Sequence, residues 1–187
     1  MERQPSLRTP RLLLRPYEDA DAPAVQRLAG DPLVADTTLT IPHPYPDGVA
    51  EMWIATHEAA WEHGRGAVFA VTLRGGSELV GTVGLTVRPE QRSAELGYWI
   101  GRPFWNIGYG TEAARAIVDF GFTVLPVDRI HAHHFERNAA SGRVMQKIGM
   151  VEVFFRPRAL EKRGTWEDVR GYAISRVQWD ALRPRAG

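Results

Sequence analysis

The sequence contains no cysteine, and this absence removes several classes of protein from consideration. A chain without thiols has no disulfide framework, no thiolate metal site and no cysteine nucleophile. Long apolar runs are also missing, since no stretch approaches the roughly 20 residues that a membrane-spanning helix needs. Near the start only residues 12–14 are consecutively apolar, which is too short for a signal peptide. We therefore expect a soluble, cytoplasmic protein.

The sequence also lacks an excess of charge of either sign. The 187 residues include 23 basic and 22 acidic side chains, a formal net charge of +1. This balance predicts neither a general nucleic-acid partner nor a membrane-surface partner. A hydrophobic content of 44% allows a sizeable core, and the chain has no internal repeat or low-complexity linker. We expect a single domain over residues 1–187.

Hydrophobic periodicity predicts a mixed α/β (α+β) chain. A short strand at 11–16 precedes helices near 19–32 and 48–63. The apolar face of the second helix is predicted to contain Val49, Met52, Trp53, Thr56 and Ala60. Three β-rich runs at 67–73, 78–87 and 93–101 have connections short enough for an antiparallel meander. A helix at 108–122, a strand at 128–135, a helix at 138–149 and strands at 150–158 and 165–175 follow. These elements predict one central, mostly antiparallel sheet flanked by helices.

The helix at 108–122 begins within the glycine-containing stretch WNIGYGTEA, residues 105–113. Unpaired N–H groups at a helix start attract anions, and Gly108 and Gly110 would let a phosphate approach them closely. Thr111 could cap the helix or donate its hydroxyl to the anion. The alternative is that the glycines only ease a tight strand-to-helix turn. The stretch is neither a P-loop, which needs a following Lys-Ser/Thr pair, nor a dinucleotide fingerprint, which follows a parallel strand.

Six stretches together resemble the GNAT N-acetyltransferase superfamily, and within it the Rim-type ribosomal-protein N-terminal acetyltransferases. In the family's order they are TPRLLLRP, PHPYP, ELGYWI, WNIGYGTEA, N-x-x-S followed by K-x-G, and WEDVRGYAI. The resemblance extends over about residues 7–179, which we expect to be the core of a single GNAT-like domain.

The resemblance implies a binding site for acetyl-CoA. In the family, backbone amides of the glycine loop wrap the pyrophosphate, and the matching residues here are Trp105, Asn106, Ile107, Gly108, Tyr109 and Gly110. Trp105 stands where the family has Gln or Arg, a change that removes no backbone donor. The preceding strand is expected to separate from its neighbour, with Gly97 easing a bulge. Backbone groups of Tyr98, Trp99 and Ile100 would then pair with the pantetheine arm.

The resemblance also suggests residues for the chemistry. Asn138 is either an ordinary helix N-cap or a ligand of the pantetheine arm or acetyl region. Many relatives place a thiolate-protonating tyrosine four residues beyond Ser141, but Met145 stands there. Ser141 is therefore either a small polar residue of a first helical turn or the thiolate's proton donor.

Glu95 matches an acidic position of the Rim-type branch. It is either a solvated carboxylate on a strand face or the general base for the amine proton, acting through water. A second acidic position described in some Rim-type enzymes falls on Leu160, beside Glu161, which leaves Glu95 as the candidate base.

The stretch HAHHF places His131 and His133 on one strand face. Without cysteine or a well-spaced acidic partner, strand packing or pocket lining is favoured over a metal site, and no metal is expected. Aromatic side chains suitable for an acceptor pocket are Tyr45, Trp53 and Trp61, although such residues also form cores.

The resemblance implies an enzyme that moves an acetyl group from acetyl-CoA to a primary amine by direct attack in a ternary complex. The acceptor would be a protein N-terminus or a small molecule, and a homodimer is possible. The alternatives are a non-catalytic acyl-CoA sensor or scaffold with the same fold, and an enzyme that uses a longer acyl-CoA.

Overall fold

The computed structural model describes residues 3–183. Its strands form one eight-stranded sheet in the order β1-β2-β3-β4-β5-β6-β8-β7. The strands are β1 (Leu7–Arg8), β2 (Leu12–Arg15), β3 (Gly66–Leu73), β4 (Leu79–Arg88), β5 (Ser93–Ile100), β6 (Arg129–Phe135), β7 (Val151–Lys162) and β8 (Thr165–Ser175). The α-helices are α1 (Ala22–Ala29), α2 (Pro32–Asp36), α3 (Val49–Glu62), α4 (Tyr109–Val124), α5 (Ala139–Lys147) and α6 (Arg176–Leu182).

Sheet topology confirms the predicted fold class. Strands β3, β4 and β5 form the expected antiparallel meander, and the other neighbouring strands are antiparallel except for β5 and β6. That one parallel contact follows from the chain path, because α4 carries the chain back across the sheet between β5 and β6. None of the six helices in the described part combines the length and apolar character needed to cross a bilayer.

The two faces of the sheet bury separate apolar clusters. Alternation along β3 shows the division: Phe69 joins the cluster beneath α4 and α5, whereas Ala70 joins the cluster beneath α1 and α3. The same alternation continues in β5, where Tyr98 packs on the α4–α5 side and Trp99 on the α1–α3 side. Neighbouring residues of β5 therefore serve opposite faces of the sheet.

The orientation of one helix differs from the prediction. Helix α3 buries Ala50, Ile54, His57 and Trp61, while Met52 is 65% exposed, so the predicted apolar face is wrong. Most of the buried residues lie one position further along the chain than the predicted ones, which corresponds to a rotation of about 100° about the helix axis.

Other short elements were not predicted from the sequence. They are β1, α2 and α6, each too short to give a clear hydrophobic period.

Candidate active site

A wedge opens between β5 and β6. These strands pair only where residues 93–95 of β5 lie beside residues 129–131 of β6. Beyond this point β5 continues beside β4 and β6 continues beside β8, so their facing edges separate. The wedge is part of a cleft of about 870 Å³. Cleft-lining residues include Glu95, Tyr98, Trp99, Ile100, Trp105, Asn106, Gly108, Tyr109, Gly110, Thr111, Asn138 and Ser141.

The loop before α4 has the geometry of an anion-binding helix start. Gly108 is the helix N-cap and has a φ of +92°, a left-handed conformation that glycine adopts without steric cost. The next three N–H groups, of Tyr109, Gly110 and Thr111, have no acceptor within the helix. Because Gly108 is the cap and has no side chain, the interpretation of Thr111 as the cap is wrong.

Arg11 contacts this loop from outside the cleft and holds it in place. Its Nη1 donates to the Ile107 carbonyl at 3.0 Å, and its Nε donates to Glu112 at 2.7 Å. Thr9 also donates to Glu112, so this carboxylate fixes the start of α4 against the segment before β2.

This arrangement also bears on the prediction for Ile107. Ile107 is not among the residues that line the cleft, and its carbonyl is engaged by Arg11. Farther along α4, Arg115 donates to the Lys147 carbonyl and Asp119 accepts from the Trp179 indole.

Backbone direction in β5 supports only part of the expected pantetheine contact. The Gly101 N–H donates to the Val80 carbonyl at 2.8 Å, so alternate residues, including Trp99, also direct their backbone groups to β4. The prediction for the Trp99 backbone is therefore wrong, although its side chain lines the cleft. Backbone groups of Tyr98 and Ile100 face the wedge. The Trp105 indole donates to the Ile100 carbonyl at 2.6 Å, which leaves the Ile100 N–H for a ligand.

The expected bulge at Gly97 is absent. Strands β4 and β5 pair in continuous register across this residue, with Gly84 opposite Gly97. A side chain at Gly97 would meet no atom within 4 Å. The separation needed for a ligand therefore comes from the divergence of β5 and β6 and not from a kink in β5.

Asn138, Ser141 and Tyr98 form a polar group at the start of α5. The Asn138 side chain accepts from the Ser141 N–H at 3.2 Å and is thus the N-cap. The Tyr98 hydroxyl lies 2.7 Å from Ser141 Oγ and donates to the Ser141 carbonyl at 3.0 Å. Burial raises the pKa of the Tyr98 hydroxyl, so it stays protonated across the working pH range. Sequence reasoning missed this hydroxyl because the two residues are 43 positions apart.

Glu95 is held in a group of basic side chains. Its Oε1 lies 3.1 Å from His133 Nδ1, and its Oε2 lies 3.9 Å from His131 Nε2 and 4.0 Å from an Arg88 nitrogen. The hydrogen bond from His133 is the main reason that the pKa of Glu95 is lowered, against the opposing effect of burial. Burial also lowers the pKa of His131. Within residues 3–183, no group of three or more potential ligands is arranged to hold a metal ion.

Two cationic side chains on α5 face the cleft and were not singled out from the sequence. Arg143 and Lys147 line it together with Ala140 and Val144. Their spacing of three and four residues places all four on one side of the helix, and this periodicity could have identified them.

The α1–α3 half of the cleft is mainly apolar. Of the three predicted acceptor-pocket aromatics, Tyr45 and Trp53 line the cleft. Trp61 is 8% exposed and belongs to the core beneath α4, near Phe120, so its predicted place in the pocket is wrong. Leu160 and Glu161 lie in the β7–β8 hairpin and are not among the cleft-lining residues.

Comparison with known proteins agrees with this geometry. Residues 11–151 match the family model described as acetyltransferase (GNAT) domain. The chain is 30% identical over 172 residues to the uncharacterized N-acetyltransferase YoaA of Bacillus subtilis, covering 91% of this chain and 96% of that protein. It is 32% identical over 173 residues to YnaD, another uncharacterized N-acetyltransferase of Bacillus subtilis, covering 92% and 98%.

Solved structures share the fold. A GNAT-family acetyltransferase from Bacillus anthracis has a TM-score of 0.82 and 26% identity, covering 92% of this chain and 99% of that one. Mycobacterium smegmatis RimJ, solved with CoA-disulfide, has a TM-score of 0.81 and 27% identity, covering 96% and 88%. The chain therefore belongs to the GNAT acetyltransferase family. Its full-length relatives are named N-acetyltransferases, and it is an acyl-CoA-dependent N-acetyltransferase.

Proposed function

We propose that the enzyme transfers an acetyl group from acetyl-CoA to a primary amine by direct attack, with both substrates bound in the cleft. The main support is the arrangement along β5. The Tyr98–Ser141 hydroxyl pair lies on the α4–α5 side of this strand, and Glu95 with His133 lies on the opposite side. A proton donor and a basic group thus flank the wedge from two directions, as transfer from a thioester to an ammonium requires.

Residues on the α4–α5 side suit the CoA part of the donor. The start of α4 offers N–H groups and a positive dipole end to the pyrophosphate, and Arg143 and Lys147 add two positive charges. Asn138 and the wedge-facing backbone of Tyr98 and Ile100 would hold the pantetheine arm as an added strand is held. Acetyl-CoA, when bound, supplies a thioester carbonyl for attack by the amine.

Ser141 is the proposed proton donor for the leaving thiolate. Its hydroxyl lines the cleft, and Tyr98 lies within hydrogen-bonding distance behind it. When Ser141 gives its proton, the Tyr98 hydroxyl can turn its own proton from the Ser141 carbonyl to Ser141 Oγ and stabilise the developing charge. Tyr98 acts here through Ser141 and is a positioning residue.

The basic group is assigned to the pair formed by Glu95 and His133. Of the carboxylates in the described part of the chain, only Glu95 lines the cleft, and it lies where the wedge begins. An ionised carboxylate at this place favours entry of an ammonium, whose proton the pair can accept.

The side chains that line the α1–α3 half of the cleft indicate the class of acceptor. This wall contains apolar and aromatic side chains with threonine hydroxyls, among them Ile41, Tyr45, Trp53, Thr82 and Thr86. Besides Glu95, no carboxylate of residues 3–183 lines this half to bind a polycation, and no arginine or lysine is there to bind a carboxylate. A primary amine attached to an apolar body fits this wall, either as a small molecule or as a peptide N-terminus with an apolar first residue.

Free thiol released from acetyl-CoA, measured with a panel of amines, tests the proposed function. The panel contains 2-phenylethylamine, hexylamine, a peptide beginning with leucine, lysine and spermidine. We expect the fastest thiol release with the first three. Binding of acetyl-CoA without release in the presence of any amine would support a sensor instead. Faster release from a longer acyl-CoA would identify a different donor.

A further inference from the structure

His133 occupies a particular position in the wedge. Glu95 lies beside His131 at the last paired position of β5 and β6, and His133 is two residues further along β6, where the strands have separated. His131 and His133 thus share a face and both approach Glu95. Only His133 of these two histidines is among the cleft-lining residues.

The contact between Glu95 and His133 determines which imidazole nitrogen carries a proton. An ionised carboxylate only accepts hydrogen bonds, so the 3.1 Å contact requires a proton on His133 Nδ1. In the neutral imidazole the lone pair then belongs to Nε2. A carboxylate that orients an imidazole and favours its cationic form is the usual arrangement around a histidine base.

Charge around the pair makes the imidazole a better proton acceptor than the carboxylate. His133, His131 and Arg88 face Glu95, and together they favour its ionised form. Such a carboxylate is a weak base, whereas the lone pair on Nε2 of the neutral His133 imidazole can accept a proton in the cleft.

We propose that Nε2 of His133 is the general base of the transfer and that Glu95 is its positioning residue. This inference depends on the proposed function. His133 Nε2 takes one proton from the acceptor ammonium and releases it to solvent. The free amine nitrogen forms the new C–N bond to the acetyl carbon as the C–S bond breaks. The second nitrogen proton leaves through the same base, and the thiolate is protonated by Ser141, which regains its proton from solvent.

The pH dependence of kcat/KM separates this proposal from catalysis by Glu95. We expect kcat/KM of the wild type to fall at acidic pH, where the general base is protonated, and this fall is the acidic limb of the pH profile. His133→Gln should abolish this acidic limb and lower kcat/KM at pH 7 by about 100-fold, within the usual range for a general base. Glu95→Gln should keep the limb but move it to lower pH, because the neutral amide no longer favours the imidazolium. His131→Gln, the matched control, should keep the limb near its wild-type position.

The opposite pattern would overturn the proposal. If Glu95→Gln abolishes the acidic limb and His133→Gln keeps it, the base is Glu95 and His133 only orients it. If thiol is released and neither variant changes the limb, neither residue is the base. If the wild type releases no thiol with any amine, the proposed function and this inference both fail.

An NMR titration of the histidine ring carbons provides a readout that needs no turnover. In the CoA-bound enzyme, we expect the pKa of His133 to fall when Glu95 is replaced by Gln, with CoA affinity retained. An unchanged His133 pKa in Glu95→Gln would show that the carboxylate does not act on the imidazole and would contradict the positioning role.

Discussion

The two halves of the cleft are built in different ways. The α4–α5 half relies on local backbone geometry, with a left-handed glycine at one helix start and an asparagine N-cap at the other. The α1–α3 half is a wall whose parts come from distant segments. Lys162 in β7 donates to the carbonyls of Ala35 and Thr38, and Arg137 pairs with Asp36 and Glu167. Under the proposed function, CoA would bind in the first half and the acceptor in the second.

The largest effect is expected from Gly108→Val. A β-branched residue at a φ of +92° is strained, and its Cβ would lie 3.4 Å from an Arg11 nitrogen. CoA at about 100 times its Kd stabilises a protein that binds it by about 2.7 kcal/mol and so raises its Tm. We expect this CoA-induced rise in Tm to be absent from Gly108→Val. Gly75→Val is a matched control, because Gly75 also has a φ of +92° but has open space around it and lies outside the cleft. An equal CoA-induced shift in both variants would contradict phosphate binding by this loop.

Acid sensitivity is expected to originate in the α1–α3 half. His57 of α3 is buried between Tyr17 and Trp53, neither ring nitrogen has a hydrogen-bond partner, and burial lowers its pKa to about 4. Since the folded pKa lies below the unfolded value of about 6.5, the unfolded state binds more protons between these values. The stability associated with neutral His57 is complete above pH 6.5 and is lost as the pH falls towards 4.

Urea unfolding of the wild type and of His57→Leu at pH 7 and pH 4.5 measures this difference. The variant should lose less free energy of unfolding between the two pH values than the wild type loses. His63→Leu is a control, because His63 is exposed at the end of the same helix. If His57→Leu and the wild type lose the same free energy, protonation of His57 is not a source of acid sensitivity.

Ser141→Ala tests the proposed catalytic role of the α4–α5 half of the cleft. We expect kcat to fall about tenfold or more while the KM for acetyl-CoA changes little, because the hydroxyl is proposed to protonate the leaving thiolate. The Asn138 cap accepts from the Ser141 backbone and should survive the substitution. Steady-state kinetics at saturating amine measures the effect, and an unchanged kcat would return Ser141 to a structural role.

Tyr98→Phe is expected to have a smaller effect through the same hydroxyl. A neutral hydrogen bond is worth about 1 kcal/mol, so kcat should fall about fivefold. If Tyr98 acts through Ser141, the same change in the Ser141→Ala background should lower kcat much less. Additive losses in the double variant would indicate that the two hydroxyls act independently.

Local features of the site could be predicted from the sequence, and contacts between distant segments could not. Gly108 and Asn138 were identified because a helix start is determined by a few consecutive residues. The support of the glycine loop by Arg11 joins positions about 100 residues apart, and no local pattern indicates it. His133 was visible as part of HAHHF, but its carboxylate partner became apparent only when β5 and β6 were placed side by side.

The smallest predicted effect concerns the apolar acceptor wall. Leu39 lines the cleft and is 42% exposed, while Leu33 is 45% exposed and does not line it. Leu39→Ser removes part of the apolar contact with the acceptor, worth about 0.7 kcal/mol, so the KM for 2-phenylethylamine should rise about threefold. Leu33→Ser controls for the general effect of a polar residue at similar exposure and should leave this KM unchanged. The KM for acetyl-CoA should stay constant in both variants, because its proposed site lies in the other half. Equal KM values for the amine in both variants would mean that the acceptor does not contact this wall at Leu39.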